Sequence, residues 1–560
     1  MSLQDIRPAS LRSDPADVTS SDGGHSNKKP TTSLTRIEAV GDAQPDNGFS
    51  VMGYTPQLKR NRGQLTIQTM LLSCKYPFHS ALEEMVLVFS FPNKTYQVFA
   101  VPFGISSGFY TAMIGGGPAS LVWGFILVGC LQECVAVSLG EICSRFPTSG
   151  IRTMLSYVTG WLYMLAIWML DLGTHYGTAI LIVGAINIYY PDWTAPVWVT
   201  LAICYGLYVL STLMTWKGHR WVPMLDTVNA VFTGICLVAI VASILGIAAE
   251  GRRSASFVFT HYDWSYSGWG RGFTFCIGLL PGCFVMCGIG FISSMSEEVA
   301  VPTKQIPRAM VIGIPVAILS GLVFILGCLF TLPDIDKLLN APGGSPMPVI
   351  LATATGSKAG GVALLSLIIS NAAIACIANQ YISSRTTWSF SRDHALPKSR
   401  LWSAVTEHSQ PRNALIVSTI IQMLIALIGL GSSSAFNAFL NVGIIGVDLA
   451  YGMPIAISLC SGRKLVKDAP WYAGFLGKVC NIISVLWISF SLVLFSMPIA
   501  IPVDAVSANY APLVLVFFMG FSALWYIMPS SQARKVYKGP PPVDFLVSLD
   551  IPELSEREDQ

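Results

Sequence analysis

The chain has 560 residues, of which 52% are hydrophobic and only 12% charged, with a net charge of +3. Soluble domains carry about 25% charged residues, so the composition excludes an ordinary soluble fold. A charge this small, spread over short loops, also excludes a nucleic-acid-binding stripe.

Residues 1–64 are polar, rich in Ser, Thr, Asp and Pro, and begin without an apolar signal-peptide core. They read as a disordered cytosolic tail. Residues 65–98 form an atypical insertion before the first long apolar run. From there to residue 528 the pattern predicts an all-α membrane domain of about twelve transmembrane helices, each near the ~20 residues needed to cross a bilayer. The predicted spans are Phe99–Ile114, Leu121–Leu139, Tyr157–Tyr189, Val197–Leu213, Leu225–Ala248, Gly272–Ile292, Val311–Leu332, Gly361–Thr386, Leu415–Leu430, Phe436–Leu459, Val479–Ile501 and Leu513–Ile527. Residues 529–560 are a polar C-terminal tail. With the N-terminus inside, the cytoplasmic loops collect Arg145, Lys217, Lys304, Arg392, Arg463 and Lys467 among others, and the outer loops hold far fewer basic residues. That asymmetry places both termini in the cytoplasm.

Two glycine-rich stretches lie inside spans: Gly104-Ile105-Ser106-Ser107-Gly108 in the first, and Leu280-Pro281-Gly282-Cys283 through Cys287-Gly288-Ile289-Gly290 in the sixth. Non-helical backbone at membrane depth is tolerated only where it lines a cavity or lies buried in protein, and paired broken helices mark substrate sites in secondary transporters. The other reading of such glycines is close helix packing.

Glu141, Asp171, Asp226 and Asp448 lie in or near spans, and intramembrane carboxylates are functional candidates by default. Asp171 is the deepest, with His175 at i+4 on the same face. That pair either carries a proton or forms a packed, hydrogen-bonded structural contact. Asn371 and Asn379 read as interhelical hydrogen bonders. The cysteines are scattered and make no metal-ligand pattern. There is no GxxxxGK[ST] phosphate loop, no repeated filter motif and no ligand cluster, which argues against a primary pump, a channel and an enzyme.

Several segments in order resemble one family: Val101-Pro102-Phe103-Gly104-Ile105-Ser106, Gly116-Gly117-Pro118, Glu141 through Phe146-Pro147-Thr148-Ser149-Gly150, Gly160-Trp161-Leu162-Tyr163, Ser296-Glu297-Glu298-Val299 with Ile306-Pro307-Arg308-Ala309, Ser384-Arg385 through Arg392-Asp393, Tyr451-Gly452-Met453-Pro454 and Tyr537-Lys538-Gly539-Pro540. Together they resemble the amino acid–polyamine–organocation superfamily, and within it fungal amino-acid, GABA and choline permeases. The resemblance implies two inverted five-helix repeats plus two final helices, with the first and sixth helices broken. It implies substrate contacts from Gly104, Ile105, Ser106, Ser107 and Gly108 on the first span and from Phe284, Cys287 and Gly288 on the sixth. A substrate carboxylate would meet the N–H groups of Ser107 and Gly108, at a half-helix end carrying about half an elementary charge. Its ammonium would meet carbonyls near Gly104, Phe284 and Cys287. Phe284 would cap the substrate, or contact a quaternary ammonium by cation–π attraction; the alternative for Phe284 is an ordinary core or lipid-facing aromatic.

The implied function is a proton-coupled permease in lipid, at the plasma membrane rather than the vacuole, importing an amino acid, GABA, choline or a polyamine without cofactor or metal. Asp171 and His175 are the proton-coupling candidates. A non-transporting nutrient sensor and an inactive relic are the alternatives. Acidic residues at Glu297-Glu298 and basic Arg308 suggest a cytoplasmic ion-pair network.

Two regions depart from the family. Residues 74–97, with Lys75, His79, Glu83, Glu84 and Lys94, push charge where half of the first helix belongs. Cys74-Lys75-Tyr76 is encodable with a GTAAGT splice signal, so this stretch reads as a retained intron, the alternative being a genuine insertion. After Gly150 the chain passes directly to Ile151-Arg152-Thr153, as though an inner loop helix were missing.

Overall fold

The computed structural model describes residues 101–146, 153–299, 302–341, 344–406, 410–430, 435–464, 466–503, 508–528 and 537. The readings of both tails, of the insertion at 65–98 and of the junction after Gly150 fall outside these residues.

The described chain is helical throughout. Helices α1 (Val101–Ile114), α2 (Gly117–Arg145), α3 (Thr153–Tyr189), α4 (Val197–Lys217) and α5 (Val222–Ile247) form the first five spans. A short helix α6 (Ala255–Thr260) leads to the sixth span, which is divided into α7 (Arg271–Ile277), α8 (Leu280–Met286) and a 3-10 segment, Cys287–Glu298. The seventh span is α9 (Pro302–Phe330), followed by α10 (Ile335–Leu339) and α11 (Pro346–Thr355). The eighth is α12 (Lys358–Arg392), followed by the short α13 (Ser399–Trp402). The last four spans are α14 (Arg412–Ala426), α15 (Ala435–Cys460), α16 (Gly474–Ser496) and α17 (Ala511–Ile527), with α14 continuing as a 3-10 turn over Leu427–Leu430. Among the described residues, ten helical stretches are long and apolar enough to cross a membrane; α1 and α17 complete the expected twelve. Every span has its predicted counterpart, displaced at the ends. The eleventh closes at Ser496 instead of Ile501 because Pro498 follows and disfavours helical backbone before it. The 37 residues of α3 give a rod of about 55 Å, longer than the ~30 Å hydrocarbon layer. Helix α11 was not expected. Its ten residues are too short to span, and it buries Met347, Ile350 and Leu351 against its neighbours.

The packing partners follow a rule. Helix α1 packs on α8, α2 on α9, α3 on α12 and α4 on α14. Each of the first four spans thus meets the one five positions later, as a five-plus-five repeat pairs them, whereas α5 packs on α9, α11 and α12.

Beside a large apolar core, polar groups are buried and many apolar side chains face outward. Asp171, His175, Asn229, Asn371, Gln380, Gln422 and Asp448 are buried, whereas Val209, Leu213, Val238, Leu319, Phe475, Leu486 and Phe517 are exposed. In water that arrangement would expose apolar surface and desolvate polar groups. In lipid it puts polar groups against one another and leaves alkyl and aromatic groups facing acyl chains.

Candidate substrate site

The interruption expected at Gly104–Gly108 is not a break. Helix α1 runs continuously from Val101 to Ile114, so the N–H groups of Ser107 and Gly108 lie in the body of a helix and not at an open end. The two serines turn inward on the same helix: Ser106 Oγ donates to the Pro102 carbonyl at 2.5 Å and Ser107 Oγ to the Gly104 carbonyl at 3.0 Å. Ile105 and Ser106 are buried, with Ser107 and Gly108 half-buried. The need for glycine at 108 is steric. A Cβ there would sit 2.8 Å from Pro281 Cβ and 3.1 Å from Pro281 Cα, so α1 and α8 cross at a distance that only a missing side chain permits.

The sixth span is broken where expected. Its α-helical geometry stops at Met286 and a 3-10 segment begins at Cys287. Side chains from other spans take up the altered backbone. The Tyr451 hydroxyl accepts from the Gly290 N–H at 2.8 Å and donates to the Cys287 carbonyl at 3.3 Å. The Tyr163 hydroxyl donates to the Gly290 carbonyl at 3.0 Å. The Cys287 thiol lies 3.2 Å from the Phe284 carbonyl.

Beside this break is a small cavity lined by Phe103 and Gly104 of α1, Leu170 and Thr174 of α3, Phe284, Val285, Cys287, Gly288 and Phe291 of the sixth span, and Ala375 and Asn379 of α12. Its volume is about 30 Å³, room for a few waters. Four of the expected contacts therefore converge: Gly104, Phe284, Cys287 and Gly288. Ile105, Ser106, Ser107 and Gly108 lie on the same helix but are not among the lining residues. Phe103, Leu170, Thr174, Phe291 and Ala375 were not foreseen, because an apolar or small residue in an apolar span carries no local sign of facing a cavity. Asn379 makes the interhelical bond expected of it, donating to Thr174 Oγ1 at 2.9 Å, and it also lines the cavity. None of the lining side chains is charged. What the cavity offers is three phenyl rings, an amide, a hydroxyl and the backbone around Cys287 and Gly288, a set suited to receiving a small cationic or zwitterionic amine without a fixed counter-charge.

Asp171 and His175 are brought together, one helix position beyond the lining residues Leu170 and Thr174 and thus about 100° round α3. The His175 Nδ1 atom is 3.1 Å from Asp171 Oδ1 and 2.9 Å from the Asp171 carbonyl, while Nε2 is 2.9 Å from Ser211 Oγ. The ring stacks on Tyr208 at 3.8 Å between centroids. The Gln422 amide donates to Asp171 Oδ2 and to Ser383 Oγ, both at 3.0 Å. The pair is thereby held from α4, α12 and α14.

Other carboxylates behave differently. Glu141 is buried and paired with Arg463, whose Nη2 is 2.5 Å from both its oxygens. Asp448 accepts from Ser491 Oγ at 2.6 Å. Asn371 donates to Thr233 Oγ1 at 2.5 Å, again the interhelical role expected. The network proposed between Glu297, Glu298 and Arg308 rests on acidic side chains outside the described residues.

A helical bundle of about twelve spans, broken in the sixth beside a midchain cavity, has the form of a secondary membrane transporter. The sequence profile described as "Amino acid permease" matches residues 89–519. The chain is 27% identical to amino-acid permease BAT1 of Arabidopsis thaliana, over 83% of this chain and 94% of the relative. It is 28% identical to the polyamine transporter TPO5 of Saccharomyces cerevisiae, over 74% and 70% respectively. It is 27% identical to the choline transporter of the same yeast, over 76% and 77%. The chain belongs to the amino acid permease family and is a multi-pass membrane protein.

Proposed function

We propose that this protein imports an amino acid or a related small amine, such as GABA, choline or a polyamine, across the plasma membrane in symport with protons, with both termini cytoplasmic. The observation that carries the reading is the cavity at Cys287 and Gly288, where aromatic rings and altered backbone converge without a fixed charge. The relatives' names point to amino acids, polyamines and choline among these. A cavity of about 30 Å³ has room for only a few waters, so taking up an amino acid requires the walls from α1 and the sixth span to separate. Uptake of radiolabelled amino acids, GABA, choline and polyamines at two external pH values tests the proposal. Saturable uptake of one class, higher at acid pH, is expected. A chain that binds one of them without accumulating it would be a sensor, and the transport reading would be wrong.

Asp171 and His175 are the proton carriers in this reading. A carrier must change protonation during the cycle, and the contact between the carboxylate and the imidazole, with Ser211 and Gln422 beyond, supplies alternative sites for one proton. Asp171→Asn is expected to remove pH-dependent accumulation while substrate exchange at equal concentrations continues. Full proton-driven accumulation by that variant would show that the pair only packs.

A further inference from the structure

We infer that Tyr451, assisted by Tyr163, is a positioning residue for the substrate site: its hydroxyl bridges the Cys287 carbonyl and the Gly290 N–H and so holds the Cys287–Gly288 edge of the cavity in place. The inference rests on the reading of that cavity as the substrate site. Cys287 and Gly290 are three residues apart, at the point where the sixth span leaves α geometry. At such a change of pitch the backbone ladder is disturbed, and in a bilayer the affected groups need partners from neighbouring helices. Tyr451 meets both ends of the step, accepting at 2.8 Å and donating at 3.3 Å. Tyr163 adds a bond at 3.0 Å to the carbonyl of the same glycine and lies 3.1 Å from Ser294 Oγ.

The two tyrosines come from α15 and α3, helices that pack along each other, and their rings lie 6.2 Å apart. They form one brace from this helix pair to the broken span. Gly290 is the matching feature on the other side. A Cβ there would meet Tyr451 Cε1 at 2.5 Å and its hydroxyl oxygen at 2.6 Å, so glycine is what lets the phenol reach the backbone. Tyr451 is 5% exposed, and the cavity-lining residues given above do not include it. Its effect on substrate therefore passes through the backbone it holds.

The test uses the full-length protein and Tyr451→Phe, which keeps the ring and removes the oxygen. Transport kinetics are measured with whichever substrate the uptake screen identifies, and the rate of Cys287 alkylation by N-ethylmaleimide is followed by mass spectrometry on purified protein. Removing one bridging hydroxyl is expected to raise KM about tenfold, with maximal rate per surface copy changed less than about twofold. Cys287 is expected to react several-fold faster than in the parent protein. A merely structural role would lower the amount of protein and leave both readouts unmoved. Should Tyr451→Phe fail to reach the membrane, Tyr163→Phe serves instead, with a smaller rise in KM and a smaller gain in alkylation rate. Unchanged alkylation of Cys287 in the variant that folds overturns the inference, whatever transport shows. If the parent protein moves no substrate, the function proposed above fails while the alkylation comparison still decides the role of the tyrosines.

Discussion

Arg463→Ala is expected to abolish recovery of folded protein from the membrane, the largest loss among the single substitutions considered. Arg463 and Glu141 are both buried and stand 322 positions apart in the chain. One guanidinium nitrogen contacts both carboxylate oxygens at 2.5 Å, and Nη1 donates to the Gly474 carbonyl at 2.5 Å. The Ala473 N–H also donates to Glu141 at 2.8 Å, and Ser144, one turn along α2, accepts from the Trp471 N–H at 2.9 Å. This cluster ties the end of α2 to the loop between α15 and α16. Removing the arginine leaves a carboxylate buried without its counter-charge, a change that costs about 3–5 kcal/mol in comparable pairs. Replacing both partners by apolar residues of similar volume, Glu141→Leu with Arg463→Met, removes the charge as well as the bond and is expected to recover part of the loss. The measurement is the melting temperature and monodisperse yield of detergent-purified protein. A single Arg463→Ala variant as stable as the parent would refute the assignment.

Gly108→Val is expected to eliminate uptake, and Gly108→Ala to reduce it, because the added carbon must displace Pro281 on α8. Overpacking of this kind costs about 1–3 kcal/mol, and here the strain falls on the helix that carries Phe284 and leads into Cys287. The cavity wall would shift even where the protein still inserts. Pro281→Gly, which removes the Cβ that the added carbon would meet at 2.8 Å, is expected to relieve the alanine variant in part. Uptake per surface-labelled copy distinguishes lost transport from lost expression. Normal uptake by Gly108→Val would show that α1 and α8 do not need this close crossing.

The two glycine clusters illustrate how far local pattern can be carried. Both were conspicuous in the chain, and both lie where the first and sixth spans meet. They serve different ends: the one at Gly104–Gly108 lets two helices touch, and the one ending at Gly290 accompanies a true change of backbone geometry. A glycine permits close approach and irregular backbone alike, so its presence cannot separate them. Whether a neighbour is a proline ring or a phenol is decided by residues well over a hundred positions away. Phe284, Cys287 and Gly288 entered through the family resemblance, and they do line the cavity. Thr174 and Phe291 were not legible in the chain, since each is an unexceptional member of an apolar run.

The twelve spans, their order and the contact of Asp171 with His175 were determined by sequence alone. Hydrocarbon forces each crossing segment to satisfy its own backbone within about 20 apolar residues, and side chains four apart on a helix must meet. Those are local constraints, readable one segment at a time. Tertiary structure alone decided the continuity of α1, the pairing of Glu141 with Arg463, the brace from Tyr163 and Tyr451 to Gly290, and the convergence of four helical elements on one cavity. Each depends on which faces of distant helices are brought together. In a bilayer apolar surface gives little preference among such faces, and the choice falls to packing of small residues and to buried polar groups seeking partners across the bundle.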